Sequence, residues 1–423
     1  MHADRRLAGT VRPSVRPRIL FLSHSASLNG ATILLLHLIT WLKAHCDCEM
    51  EVLVNGPGPL VDEFKGVART TVWRNVSRLF SPFHGRASAR ARAFLELQYM
   101  RSLIAGRHFD LIYANTCATW PQIKLLANSG AAVLWHVHEL SYALRLSLGY
   151  ENASAALRVA SRFIVVSGCV QAALADEFGV PRDKIDTVHG FVPLPAIDET
   201  ERLRKRQRVR CELEWPEDAF VVLGCGSLGW RKGTDLFLQI ARSISSTDGY
   251  ERVRFLWVGG DVHGKESLEF AHDELGLGLS RLSARISNTS HVLDYYCAAD
   301  LFLLTSREDP FPLVMLEAAS LGIPVGCFAH GGGAAEFIGE DAGFIVPYLD
   351  TTAFANKIMF LHDHPEQRMR LGAAARERVK SSFCVEAQAP KILKSIERCL
   401  RLPPASDASV ALCKPRWQGR IDT

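Results

Sequence analysis

The chain has 423 residues, more than one hydrophobic core usually organises, so two domains are expected. Hydrophobic residues at 48% and charged residues at 22% describe an ordinary globular protein, neither disordered nor fibrous. The formal net charge of +4 is too small to point to nucleic acid, and no apolar run approaches the roughly 18 residues of a membrane-spanning helix.

Residues 1–17 carry arginine but no apolar leader core, and read as a disordered basic arm. The first strand is expected at 18–23 (RILFLS), then the polar loop HSASLNGA and a helix from Ala31. Gly30 lets the backbone come close to a ligand there. His24, in the same loop, is as readily a capping residue as a ligand. Further strands are expected at 50–54, 111–114 and 132–136, with Asn115 and Thr116 directly following 111–114. The last of these runs into His136, His138 and Glu139. An H-x-H pair plus Glu could hold a metal, but no third ligand is near, so no metal site is expected. Eleven cysteines without a C-x-x-C pair suggest reduced thiols in a cytoplasmic protein, not a disulfide frame or zinc site.

Between residues 66 and 109 there are eight arginines and one acid, Glu96. Residues 88–105 have the spacing of an amphipathic helix, and Trp73, Phe80 and Phe83 are expected to be exposed beside it. Such a face suits anionic lipid headgroups, which predicts peripheral contact with the inner face of a membrane; the alternative is a solvated helix covering the sheet. A strand at 163–167 and the segment 188–192 close this half. Residues 193–216 then read as a linker, with ETERLRKRQRVR an exposed helical turn lacking an apolar stripe.

The second half opens with a strand at 219–223 and the loop GCGSLGWRKG. Gly224, Gly226 and Gly229 fit G-x-G-x-x-G, but residues 230–233 intervene before the helix. The next strand, 254–258, also ends too late, at Asp261, to supply an acid about 20 residues on. A dinucleotide fingerprint is therefore rejected. The stretch ADLFLLTSREDPFPLVMLEAASLGIPV, residues 299–325, reads as buried strand, polar loop, helix and next strand. Glu317 lies one turn inside that helix and leans back toward Asp309 and the free N–H groups of Leu313 and Val314. N–H groups at a helix start suit a phosphate, and a carboxylate suits sugar hydroxyls. Together they describe a pocket for a nucleotide that bears a sugar; the plain alternative is a solvated acidic loop.

That stretch resembles the E-x7-E signature of the retaining glycosyltransferases of family 4. Phe311, Leu313, Val314, Leu316, Glu317 and Ala318 fall on matching positions, and Asp309 stands where the first Glu does. Glu308 is the neighbouring candidate for that carboxylate, and Pro310 and Pro312 replace two glycines. The loop around Lys232-Gly233 resembles the family's diphosphate-binding G-R-x4-K-G, with Ser227 at the Arg position and Arg231 as its substitute. The first loop with Gly30, the His138-Glu139 pair, and GGAAE at 332–336 agree in order.

The resemblance implies an α/β GT-B fold, two Rossmann-like domains with parallel sheets facing each other across a cleft. It places an acceptor-side domain at 18–192, a linker at 193–216, a nucleotide-sugar domain at 217–385, a terminal helix at 386–402 and a loose tail at 403–423. It implies transfer of a sugar from a nucleotide-sugar to an acceptor hydroxyl with retention, in cell-surface polysaccharide or glycolipid synthesis. His138, Asp309 and Lys232 would stand at the reaction centre. Gly30, Ser227, Arg231, Lys232, Glu308, Asp309, Phe311, Leu313, Val314 and Glu317 would hold the donor. No Asp-x-Asp occurs, so metal-independent transfer is expected. A nucleotide-sugar epimerase of the same fold and a non-catalytic nucleotide-sugar-binding subunit are the alternatives.

Overall fold

In the computed structural model, residues 16–73, 98, 99, 102, 106–126, 129–150, 152–261 and 263–402 are described. The expected basic arm (but for Arg16 and Pro17), most of the amphipathic helix at 88–105, Phe80, Phe83 and the tail from 403 lie outside them.

Short apolar runs separated by helices cannot pair as hairpins, so they form parallel strands joined by crossovers. The first sheet contains β1 (Arg18–Ser23), β2 (Glu49–Val54), β3 (Arg69–Val72), β4 (Leu111–Asn115), β5 (Ala132–Val137), β6 (Arg162–Val165) and β7 (Ile185–Thr187). Its order is β3-β2-β1-β4-β5-β6-β7, parallel at every pairing. The second contains β8 (Phe220–Cys225), β9 (Val253–Val258), β10 (Ser283–Ile286), β11 (Leu301–Leu304), β12 (Val325–Phe328) and β13 (Gly343–Val346). Its order, β10-β9-β8-β11-β12-β13, is also all parallel. β4, β5, β8 and β11 are buried along their whole length, which is why they read as unbroken apolar runs.

In each sheet the strand order reverses at one place, between β1 and β4 and between β8 and β11. Loops leaving the carboxyl ends of these strands diverge there and leave a crevice. Residues 24–30, 116–119, 226–233 and 305–312 are those loops.

Two expectations about exposure change. Trp73 follows β3 and is buried in the core, its backbone N–H donating to the Val54 carbonyl at 2.7 Å. The charge-dense linker is a fourteen-residue helix, Glu199–Glu212, held by ion pairs that the lack of an apolar stripe concealed. Asp198 caps its start by accepting from the Glu201 N–H at 2.7 Å. Arg210 is buried and donates to the carbonyls of Glu217, Ala219 and Ala298 and to Asp300. Lys205 pairs with Asp294 at 2.6 Å and Arg206 with Asp300 at 2.9 Å.

The last helix, Val385–Leu400, returns to the first half of the molecule. It packs against the helix Gly30–His45 and the first sheet, and Arg398 pairs with Asp186 of β7 at 2.9 Å. Val192 bridges Cys384, so the two passages of the chain between the sheets lie side by side. No described helix is long and apolar enough to cross a membrane.

Candidate active site

The reversal points of both sheets open into one cavity of about 1090 Å³, lined from both halves of the chain. Its floor depends on backbone approaching backbone. Gly259 has φ of +122°, and a Cβ there would stand 2.2 Å from the Gly226 carbonyl oxygen, so only glycine fits.

The wall from the second sheet carries Ser227, Arg231, Lys232, Asp309, Phe311, Leu313, Val314 and Glu317. Residues 230–232 form one tight turn after β8, and Gly233 turns left-handed to start the helix Thr234–Ser245. This geometry aims Lys232 at the loop after β11, where its ammonium pairs with the Asp309 carboxylate. Asp309 is fixed in turn by its own N–H to Gly331 O at 2.8 Å and by Gly333 N–H to its carbonyl at 3.1 Å. Arg231 donates to the Glu308 carbonyl at 3.0 Å and stands 3.9 Å from Asp309. The helix Leu313–Ser320 begins directly after Pro312 with no side-chain cap, so its first N–H groups face the cavity unclaimed. Glu317 accepts from the Tyr296 hydroxyl at 2.7 Å. Burial pushes its carboxyl up, and the Tyr296 bond partly offsets that.

Glu308 departs from expectation. It does not line the cavity; its side chain turns toward the backbone N–H groups of Tyr142 and Ala143, leaving Oε1 buried without a partner. Asp309 is the carboxylate of this loop that faces the cavity. Phe311 reaches the cavity edge while stacking on Phe383, ring centroids 5.7 Å apart.

The wall from the first sheet carries His24, Gly30, Thr116, His138 and Glu139. Asn115 donates to the Ala31 carbonyl at 2.9 Å, which orients its amide so that Oδ1 meets His138 Nε2 at 2.8 Å. His138 therefore carries its proton on Nε2. Burial, with His24 nearby, pulls its pKa down to about 3, so the imidazole is neutral. Glu139 folds back to accept from the N–H groups of His138 and Cys117, at 2.9 and 3.0 Å, yet burial still pushes it up to about 7. Thr116 holds φ of +73°, locked by its N–H to His136 O at 2.9 Å and by Trp135 Nε1 donating to its carbonyl at 3.0 Å.

Sequence reasoning did not single out Tyr296 or the contacts that join the two halves beside the cavity. Glu336 accepts from the N–H of Gly168 at 3.0 Å and meets His189 at 2.9 Å, while Ser167 Oγ donates to Pro310 O at 2.7 Å. These pairs are more than 140 residues apart in the chain, and no local pattern announces them. No group of three or more His, Cys, Asp or Glu suited to a metal ion occurs among the described residues.

The family model for glycosyl transferases group 1 matches residues 205–378, and that for glycosyltransferase family 4 matches residues 28–194. The chain is 26% identical over 291 residues to D-inositol 3-phosphate glycosyltransferase 1 of Catenulispora acidiphila, covering 64% of this chain and 68% of that protein. It is 28% identical over 231 residues to the lipopolysaccharide core biosynthesis glycosyltransferase LpsD of Rhizobium meliloti, covering 54% and 61%. The chain thus spans about two thirds or less of these relatives' length. Among solved structures it is similar to Anabaena HepE in complex with UDP and glucose, with TM-score 0.72, 20% identity and coverage of 90% of this chain and 99% of that one. The likeness covers both sheets and the cleft between them: the fold is GT-B.

Proposed function

Because this chain belongs to the family 4 glycosyltransferases, we propose that it moves a sugar from a nucleotide-sugar to an acceptor hydroxyl with retention of configuration. One observation carries the reading. A cation (Lys232), an uncapped helix start (Leu313, Val314) and a carboxylate (Glu317) converge in a single cavity at the reversal points of both sheets. In this reading Lys232, with Arg231 behind it, receives the diphosphate. The helix N–H groups share its charge, and Glu317 accepts hydroxyls of the ribose.

The bond that breaks joins the sugar's anomeric carbon to the diphosphate, and negative charge grows on the departing oxygen. Donors already aimed at that oxygen stabilise the transition state more than the ground state. Asp309 and neutral His138 border the sugar itself; His138 donates from Nε2 to Asn115 and so keeps its Nδ1 lone pair. The acceptor hydroxyl adds on the face the diphosphate leaves, and its proton passes to the departing phosphate oxygen. The transfer needs no side-chain nucleophile and no metal ion.

The acceptors proposed are cell-surface glycans or their lipid-linked precursors, met at the inner face of a membrane. The arginine excess between residues 66 and 109 supports that placement, as does the lipopolysaccharide role of the similar LpsD.

A thermal-shift screen of nucleotide-sugars tests the donor reading. UDP-glucose comes first, because the similar HepE structure holds UDP and glucose. A donor at 100 times its dissociation constant stabilises by about 2.7 kcal/mol. If no nucleotide-sugar raises the melting temperature, the reading is wrong.

A further inference from the structure

The helix Ser141–Leu148 starts two residues after Glu139 and follows the rim of the cleft. Tyr142 and Leu146 lie four apart and so share a face; they are 60% and 76% exposed, and Tyr150 just beyond is 76% exposed. Trp230 meets Tyr142 from the other domain. It is 61% exposed, and its ring centroid lies 6.1 Å from that of Tyr142. Scattered surface apolar groups need no explanation, but a row of exposed aromatic rings at the rim of a cleft, two of them paired across it, does.

The row is held in shape. Arg307 lies 5.5 Å from the Trp230 ring centroid, donates to the Trp230 carbonyl at 2.9 Å and grips Asp235 at 2.8 and 2.7 Å. Arg145 sits 5.0 Å from the Tyr150 ring and 4.8 Å from Phe178, paired with Glu177 at 3.2 Å. The two cations set against these rings, Arg307 and Arg145, each have a carboxylate, Asp235 and Glu177. The surface is therefore aromatic and electrically balanced. An anionic headgroup needs unpaired cations, whereas a neutral saccharide offers apolar C–H faces to flat rings and hydroxyls to the polar tips of Tyr and Trp.

We propose that this row is a binding site for a neutral saccharide chain, the outer sugars of the acceptor. The proposal rests on the glycosyltransferase reading above. The row is continuous with the cavity on both sides: Tyr142 follows Glu139 by three residues and Trp230 directly precedes Arg231, and Glu139 and Arg231 both line it. The chain's terminal hydroxyl enters the cavity while the sugars behind it lie across Tyr142 and Trp230. Because these two rings belong to different domains, a bound chain ties the cleft shut.

The test uses the full chain and saturation-transfer NMR with neutral gluco-, galacto- and manno-oligosaccharides of increasing length. UDP-glucose thermal shift and phosphatidylglycerol vesicle binding are measured in parallel. One oligosaccharide series should bind, more tightly as it lengthens. Trp230→Ala and Tyr142→Ala should each weaken the longest member about tenfold, near 1.4 kcal/mol, with Trp230→Phe recovering part of the loss and the UDP-glucose shift unchanged. Absence of binding by every series, or binding by both alanine variants within about threefold of the parent, overturns the proposal. Vesicle binding that disappears in Trp230→Ala also overturns it, in favour of lipid. A parent that binds oligosaccharide but shows no UDP-glucose shift keeps the aromatic site and discards UDP-glucose as donor; one that does the reverse discards only the aromatic site.

Discussion

The Lys232 ammonium and the Asp309 carboxylate form an ion pair that joins the loop after β8 to the loop after β11. A diphosphate entering the cavity must share that ammonium with Asp309. Lys232→Ala should cost about 10- to 150-fold in kcat/KM, the equivalent of a charge-assisted hydrogen bond of roughly 1.5–3 kcal/mol. Most of the loss should fall in kcat, because the leaving group gains charge in the transition state. Asp309→Asn should instead tighten binding of the free nucleotide diphosphate while slowing transfer. Steady-state kinetics and nucleotide titration check both, and transfer by Lys232→Ala within about threefold of the parent would remove the diphosphate from this place.

Glu317 offers the cavity a carboxylate held by Tyr296 at 2.7 Å. Glu317→Gln keeps the shape and loses the charge, so KM for the donor should rise about tenfold or more while kcat changes less. Tyr296→Phe should have a smaller effect in the same direction. A Glu317→Gln variant with unchanged donor KM would take the ribose away from this residue.

Gly332 has φ of +129°, and a Cβ there would stand 1.8 Å from the Asp309 carbonyl oxygen. Gly332→Ala should force the Asp309 loop to move and destabilise the fold by about 1–3 kcal/mol. Denaturant titration reads the stability, and the loss of transfer should exceed what unfolding explains.

The acid response depends on His138. Its folded pKa, about 3, lies below the ordinary value of 6.5. As pH falls below 6.5 the unfolded chain takes up a proton that the folded chain refuses, so stability is lost on the way down to pH 3. The slope from one such group is about 1.4 kcal/mol per pH unit. His138→Gln should flatten the fall of stability between pH 6.5 and 4 by up to that slope. His24 and His136, also held down by burial, continue to titrate. Urea midpoints measured at pH 7.5 and 5 decide it, and an unchanged difference between them would count against the assignment.

Transfer should persist in excess chelator. The sequence has no Asp-x-Asp, and the leaving-group charge is assigned to Lys232 and the start of the helix Leu313–Ser320. Loss of activity in EDTA that magnesium or manganese restores would show that a metal carries that charge.

What could be read in advance followed from burial on both faces of a sheet. β1 stands out as RILFLS because nothing polar can sit in its interior. The edge strands β3 (RTTV) and β7 (IDT) are short, partly polar and half-exposed, and no pattern separates them from loops. In the cavity, Lys232 and Glu317 carried local signals, a glycine beside the one and a helix start before the other. The choice between Glu308 and Asp309 was not local: the bridge between Asp309 and Gly332 settles which carboxylate turns inward. Tyr296 was invisible for the same reason, since its partner lies on another helix.

The return of the helix Val385–Leu400 to the first sheet has a consequence for synthesis. A chain released from the ribosome up to residue 192 has every strand of its first sheet but lacks the helix that covers it beside Gly30–His45. That apolar face stays open until residues 385–400, which follow every strand of the second sheet, have been made. Folding is therefore not strictly vectorial: the half translated first is completed last, and a chaperone that shields it in the interval has a defined target.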